Sequence, residues 1–403
     1  MHSSDLIYDW NPPLSGTPKP VQICDETLRD GLQGGVRRTP TLPEKLELLT
    51  YSDALGLAEA VVGFPAQEIS YQDALNICQG AQQKGLKLSL GLLGRMIDAD
   101  IQAIHRIQQA SGHPVVAWLF VGCSPIRRYV ETRNIDELEQ LTRSGIRLAK
   151  QLGLPVNYGT EDTARAEPEV VERLFRAAIE EGAETVTICD TVGHLTPTGT
   201  QRLVAHFRKF LDQQNLKARL DFHGHNDRGL GVANALAAVA AGIDRIHCTA
   251  LGIGERSGNT PLDQFLVNLK MQGQWPRDLT PLSHYCQAVA RICQIPVPEN
   301  YPILGTNAFL TQAGVHASTI LKAEMRGETD IAALVYSGVD PNLVGLDYGI
   351  QVGPHSGQSN VKFLLYRQGI ESTEAMLDQI LAKARAENRV LSTTEVCEMA
   401  RSF

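Results

Sequence analysis

Arg219-Leu220-Asp221-Phe222-His223-Gly224-His225-Asn226-Asp227 reads as a short β-rich run that ends in a cluster of polar residues, and runs of this kind recur along the chain as far as residue 251. There are eight, at 21–27, 58–63, 87–93, 115–121, 155–161, 185–190, 219–225 and 244–251. Their starts lie roughly 25 to 40 residues apart, the length of a strand, a helix and two loops. The segments between them carry helical spacing. Residues 43–55 place Leu46, Leu48, Leu49, Ala54 and Leu55, and 134–151 repeat Leu138, Leu141, Ile146 and Leu148. Residues 168–181 open with Pro168 and repeat Val171, Leu174, Ala177 and Ile179. Each pattern suits a helix with one buried stripe. Strict strand–helix alternation predicts a parallel sheet. Eight repeats predict an α/β fold closed into a (β/α)8 TIM barrel, with an open doubly wound sheet as the alternative.

The alternation stops near Gln272. A helix is expected over 276–294, a proline-rich joint over 296–302, then glycine-broken text and a surface helix over 373–387. The expected organisation is an N-terminal arm (1–19), a catalytic barrel (20–272) and small, mostly helical accessory subdomains (273–403).

Composition narrows the function classes. The 403 residues are 43% hydrophobic and 20% charged, ordinary values for a soluble globular protein, with a formal net charge of −8 that argues against general nucleic-acid binding. No Lys/Arg run marks a membrane-surface patch. The first twenty residues are polar and Pro-rich, unlike a secretory signal, and no window approaches the roughly 18 apolar residues of a membrane span. The eight cysteines, Cys24, Cys78, Cys123, Cys189, Cys248, Cys286, Cys293 and Cys397, form no CxxC pair. Cys24, Cys189 and Cys248 sit in strand-like runs, where Cys acts as a small apolar residue. A reducing cytoplasm is the expected location.

In such a barrel the active site lies at the C-terminal strand ends. Polar residues collect there: Asp25-Glu26-Thr27-Leu28-Arg29-Asp30-Gly31 after the first run, Glu161-Asp162 after the fifth, Asp190-Thr191 after the sixth, His223 to Asp227 after the seventh, and residues 252–259 after the eighth. His223 and His225, two apart on a strand, share a face. Two neutral imidazoles side by side suit a divalent ion such as zinc, manganese or iron; the alternative is a pair of hydrogen-bonded core histidines. Asp30 and Asn259 would add oxygen donors and leave open positions for a substrate. Arg29 can bind a carboxylate or steady an oxyanion, or simply pair with Glu26 or Asp25. Glu161 and Thr191 can contact a keto acid, or only tie the barrel mouth together. The glycine-rich run 252–259 can let backbone approach a ligand; it follows the last strand and lacks the dinucleotide-binding spacing.

Three motifs carry a resemblance: Thr27-Leu28-Arg29-Asp30-Gly31-Leu32-Gln33, His223-Gly224-His225-Asn226-Asp227, and Gly252-Ile253-Gly254-Glu255-Arg256-Ser257-Gly258-Asn259. In this order and on these strands, the chain resembles the DRE-TIM metallolyase superfamily, and within it the isopropylmalate, homocitrate and citramalate synthases. The resemblance implies a Claisen-type condensation of acetyl-CoA with a 2-oxo acid, giving a 2-alkylmalate-type product and CoA. It implies a divalent metal (zinc, manganese or magnesium) held by Asp30, His223, His225 and Asn259. Arg29 would stabilise oxyanion charge, and Glu161 and Thr191 would hold the oxo acid, Glu161 being counted among the catalytic residues. Asn307-Ala308-Phe309 with Gly314-Val315-His316, and Val344-Gly345-Leu346-Asp347-Tyr348, resemble the segments carrying a catalytic His and Tyr. The implied partner is a second copy of the chain: His316 and Tyr348 would complete its active site in a homodimer.

Other features depart from the synthase pattern. Arg29 to Gln33 is closer to the hydroxymethylglutaryl-CoA lyase form, but residues 252–259 lack the cysteine that lyase requires. Gly224, Arg228, Trp118 and the pair Gly159-Thr160 stand where other residues are usual, several of them bordering the expected oxo-acid pocket. They leave the accepted side chain open, arylalkyl groups included. With the sequence ending at Phe403, feedback by leucine through the usual C-terminal domain is not expected. A carbon–carbon lyase and a non-catalytic binding descendant are the competing readings.

Overall fold

Eight parallel strands close on themselves in sequence order: β1 (Gln22–Asp25), β2 (Glu59–Gly63), β3 (Ser89–Arg95), β4 (Val115–Gly122), β5 (Val156–Glu161), β6 (Thr185–Asp190), β7 (Arg219–Gly224) and β8 (Arg245–Cys248). The structure, a computed structural model, describes residues 6–8, 10, 11 and 20–403. β1 closes the barrel against β8, in register from Gln22 opposite Arg245 to Asp25 opposite Cys248; the open-sheet alternative is excluded. The expected arm, 1–19, lies almost wholly outside the described residues.

The helices alternate with the strands: α1 (Leu42–Leu55), α2 (Glu68–Lys84), α3 (Asp98–Ser111), α4 (Pro125–Glu131) and α5 (Ile135–Gln151), then α6 (Pro168–Glu180), α7 (Pro197–Gln213), α8 (Gly231–Ala240), α9 (Leu262–Met271) and α10 (Thr280–Cys293). Local chemistry sets their limits. The backbone N–H of Thr41 donates to the Glu44 carboxylate at 2.8 Å, a capping box, and Pro43 occupies the first turn of α1. Asn134 and Glu137 cap α5 reciprocally, whose Leu138, Ile146 and Ala149 are fully buried.

Several strands are shorter than their sequence runs, because the last residues of a run leave the sheet to build the mouth. After Asp25 the backbone turns at Glu26 (φ −102°, ψ 10°), and the Thr27 N–H donates to the Asp25 carboxylate at 2.9 Å. The same carboxylate accepts from the Ser52 hydroxyl on α1 at 2.5 Å and the Tyr285 hydroxyl on α10 at 2.6 Å. Asp25 therefore pins two helices to β1 and is not part of the mouth.

Among the described residues, the barrel forms one unit with α10, 20–295, which runs past Gln272, and 296–403 belong to the second. The second unit holds α11 (Gly314–Met325), α12 (Thr329–Leu334), α13 (Gln358–Arg367), α14 (Glu374–Glu387) and α15 (Thr393–Arg401). A two-residue parallel pair, β9 (Leu310–Thr311) with β10 (Gly349–Ile350), completes it. Its two small apolar cores centre on Val361, Leu365, Leu377 and Ile380 and on Ala317, Ile320, Ala332 and Phe363. No described helix is long and apolar enough to cross a membrane.

Candidate active site

Past β1 the chain makes one wide helical turn, Thr27–Gly31, in which the Gly31 N–H reaches back five residues to the Glu26 carbonyl at 3.0 Å. Such π-type turns are uncommon and concentrate at functional sites. This one turns Arg29 and Asp30 into a cavity of about 360 Å³ at the barrel mouth, which Glu161, Thr191, His223 and His225 also line. Arg29 donates to Glu26 from Nε at 2.7 Å and to Asp30 from Nη1 at 2.9 Å, and its Nη2 lies 2.6 Å from Glu26. It thus pairs with Glu26 and Asp30, not Asp25.

His223 Nε2 and His225 Nε2 are 3.3 Å apart, and each lies 3.8 Å from Asp30 Oδ2. The other ring nitrogens explain the facing pair. His225 Nδ1 lies 3.2 Å from the Gly258 carbonyl, which can only accept, so the proton sits on Nδ1 and the lone pair on Nε2. His223 Nδ1 faces Glu26 Oε1 at 3.7 Å, favouring the same tautomer. Burial lowers the pKa of both rings, which keeps them neutral. Burial raises that of Asp30, but the Arg29 guanidinium and the Asn259 hydrogen bond outweigh it and hold the carboxyl below its usual range. Three electron-pair donors therefore converge with no hydrogen between them, an arrangement that fits a cation.

The loop after β8 closes over this cluster. Asn259 Nδ2 donates to Asp30 Oδ1 at 2.7 Å, while its buried Oδ1 has no hydrogen-bond partner in the structure. Gly254 makes the approach possible: at φ +148° a Cβ there would lie 2.1 Å from Asn259 Nδ2 and 2.6 Å from Asp30 Oδ1, so only glycine fits.

Glu161 is the last residue of β5, and Thr191 follows the last residue of β6. Burial raises the pKa of Glu161 despite Arg127, whose Nε is 3.5 Å from Oε1. The Thr191 hydroxyl accepts from the Asp162 N–H at 2.8 Å, leaving its own proton free to donate. His316 and Tyr348 belong to the second unit. His316 is exposed and stacks on Tyr336 with ring centroids 3.9 Å apart. The Tyr348 hydroxyl donates to Glu324, and Arg367 lies 4.4 Å over its ring.

Below the mouth is a buried polar floor that sequence reasoning missed. Arg245, 1% exposed, contacts Glu59 at 2.5 Å and Asp221 at 2.6 Å. Asp221 also meets His247 Nε2 at 3.1 Å, and Glu59 accepts from the Trp118 indole N–H. The signal was available: Asp221 precedes His223 by two on β7 and Arg245 precedes His247 by two on β8, so all four share the inner face.

A closed parallel barrel with a histidine–carboxylate cluster at its C-terminal mouth defines the class as a TIM-barrel protein with a potential metal centre. The HMGL-like family model matches residues 20–291, and the chain belongs to that family. It is 32% identical over 380 residues to a probable 2-isopropylmalate synthase of Methanopyrus kandleri, covering 91% of this chain and 70% of the relative. It is also 32% identical over 372 residues to a homocitrate synthase of the same organism, covering 92% and 88%. Among solved structures, the hydroxymethylglutaryl-CoA lyase of Pseudomonas aeruginosa superposes with a TM-score of 0.58 at 20% identity, over 68% of this chain and 93% of that one. That likeness is one of fold.

Proposed function

We propose that this chain is an acetyl-CoA-dependent acyltransferase that condenses the acetyl group with a 2-oxo acid, in the manner of a 2-isopropylmalate synthase. The carrying observation is the convergence of Asp30 Oδ2, His223 Nε2 and His225 Nε2 in one cavity with Arg29 and Glu161, in a chain whose relatives are named as synthases. Asp30, His223, His225 and Asn259 would hold a divalent ion, zinc, manganese or magnesium, which supplies Lewis-acid polarisation of the keto group.

The chain's own residues supply the rest. Three of the five guanidinium N–H donors of Arg29 face Glu26 and Asp30; the other two can take the substrate carboxylate or the oxygen that gains charge as the keto carbon is attacked. Glu161, with its raised pKa, is suited to take a proton from the acetyl methyl group. Thr191 can donate its free hydroxyl proton to a substrate oxygen. A carbon–carbon bond forms between the acetyl methyl carbon and the keto carbon, the former keto oxygen takes up a proton, and water cleaves the thioester to release CoA as its thiol. In this reading two chains pair, and His316 and Tyr348 of each reach the other's barrel; the motif resemblance around both residues supports that part.

The test is thiol release from acetyl-CoA over a panel of 2-oxo acids and divalent metals. Release is expected only when an oxo acid, acetyl-CoA and metal are all present. Undiminished release after exhaustive chelation would remove the metal from the reaction, and cleavage of hydroxymethylglutaryl-CoA in place of condensation would select the lyase.

A further inference from the structure

We propose that the 2-oxo acid carries an uncharged aromatic or extended apolar side chain, seated against Phe64, Leu93, Trp118 and Phe120 in the space left by Gly159; this rests on the condensation reading above and names its substrate class. The cavity has two characters. Toward β1 and β7 it presents Arg29, Asp30, His223 and His225, whereas Phe64, Leu93, Trp118, Phe120, Gly159 and Cys189 also line it. Those six come from β3 to β6 and the end of β2, so the apolar wall is a continuous arc of the barrel.

The wall is fixed in place. The Trp118 indole N–H is held by Glu59, itself clamped by Arg245. Gly91 leaves the indole its room, since a Cβ there would come within 2.7 Å of Nε1. Trp118 packs with Cys24 and Val61, and Leu93 leans on the same cluster. A rigid aromatic face recognises flat or extended apolar groups without an ordering cost.

Gly159 sets the size. It lies inside β5, where glycine weakens a strand and often marks the close approach of a ligand. No positive φ requires it. A Cβ would meet only Phe120 Cβ and Cys189 Sγ at 3.8 Å and Thr187 Cβ at 4.0 Å, all ordinary contacts. The protein itself therefore tolerates a side chain at 159, and its absence enlarges the cavity.

Charge argues against a second carboxylate on the substrate. The lining arginines are Arg29, whose donors not facing Glu26 and Asp30 serve the reacting end of the substrate, and Arg256, which donates to Asp227 and to the Thr191 carbonyl. Asn157 is bonded at both ends, to Asp221 and Thr187. Burial keeps Cys189 a neutral thiol. A distal carboxylate would enter this arc unpaired, a large desolvation cost, with Glu161 also lining the cavity.

The experiment compares phenylpyruvate, 4-methyl-2-oxopentanoate, pyruvate and 2-oxoglutarate by kcat/KM for CoA release and, separately, by calorimetric binding to the metal-loaded protein. The aromatic or long apolar acids should exceed pyruvate by at least ~10-fold and 2-oxoglutarate by ~100-fold. Gly159→Val, which suits a strand, should lower the phenylpyruvate-to-pyruvate ratio by ~10-fold or more. A preference for pyruvate or 2-oxoglutarate, or a Gly159→Val variant that slows all acids equally, would overturn the assignment. Selective binding of phenylpyruvate without CoA release would uphold the pocket and overturn the condensation. CoA release favouring 2-oxoglutarate would do the reverse.

Discussion

His223 and His247 face each other across adjacent strands with ring centroids 5.6 Å apart, yet the layers they belong to are built differently. In the floor around His247, unlike charges are paired: Arg245 lies between Glu59 and Asp221, and the Asp221 oxygen that meets Arg245, Oδ2, also meets His247. In the mouth around His223, like meets like: two imidazole lone pairs and a carboxylate oxygen converge. Glu26 joins the layers, with Oε2 held by Arg29 and Oε1 facing both His223 Nδ1 at 3.7 Å and His247 Nδ1 at 3.5 Å. Burial pushes its pKa up. A charge-paired polar layer holds a structure together; a layer of convergent donors is complete only with a ligand.

The sharpest way to break this contrast is to remove one side chain from each layer. His223→Ala should lower kcat/KM by ~10³-fold or more, the scale of several kcal/mol of lost charge stabilisation, while the metal-free protein keeps its urea midpoint. Added divalent metal should raise the midpoint of the wild type by linkage and leave that of His223→Ala unmoved. Equal metal stabilisation of both proteins would move the metal centre elsewhere. Arg245→Met should do the opposite. It strands Glu59 and Asp221 as buried, uncompensated carboxylates, which costs ~3–5 kcal/mol in urea unfolding, and adding Glu59→Gln should restore part of the loss. A change below ~1 kcal/mol would show that the floor does not depend on this pairing.

The proposed sharing of sites between chains makes an intermediate demand. Inactive Arg29→Ala and His316→Ala chains, mixed under conditions that exchange subunits, should regain activity up to about half per mixed dimer, because two-fold pairing puts both lesions in one site and leaves the other intact. A dead mixture with exchange confirmed would confine each site to a single chain.

Legibility in the sequence follows the same division. The barrel was readable because each strand run is bounded and each intervening stripe has helical spacing, as at Leu138 and Ile146 on α5. The strand ends were not. Residues 26 and 27 continue the β-rich text of β1, yet the backbone leaves the sheet at Glu26, and the only local cue is Asp25, whose carboxylate serves Thr27, Ser52 and Tyr285. Arg29, Asp30, Glu161, Thr191, His223 and His225 stand out as candidates because strand-end position and residue type coincide; the structure brings these six into one cavity. The floor escaped because Glu59 and Arg245 open their strands, where a charged residue reads as solvent-facing, and Asp221 stands third in β7 with no local mark of its partner. Their pairing joins strands 24 and 186 residues apart, a relation that no local pattern carries.

The smallest expected effect comes from a group charge-paired like the floor but open to solvent. Glu44 accepts from Arg38 Nη1 at 2.8 Å and from the Thr41 N–H and hydroxyl at 2.8 Å each. The Arg38 hydrogen bond, then those from Thr41, pull its carboxyl down to about 2 from an ordinary 4.5. A depressed carboxyl pKa stabilises the fold above the ordinary value, and the contribution is lost as pH falls from about 4.5 toward about 2. Glu44→Gln removes the charge and should lower the melting temperature by at most ~3 °C near neutral pH, because solvent screens an exposed ion pair. The gap between wild type and variant should stay constant from roughly pH 8 to 5 and narrow below about 4.5. It should also shrink in roughly 1 M salt, whereas the Arg245→Met deficit, buried beyond the reach of ions, should not. A Glu44→Gln deficit as large and as salt-resistant as that of Arg245→Met would show that charge pairing alone, without burial, sets the energy of these networks.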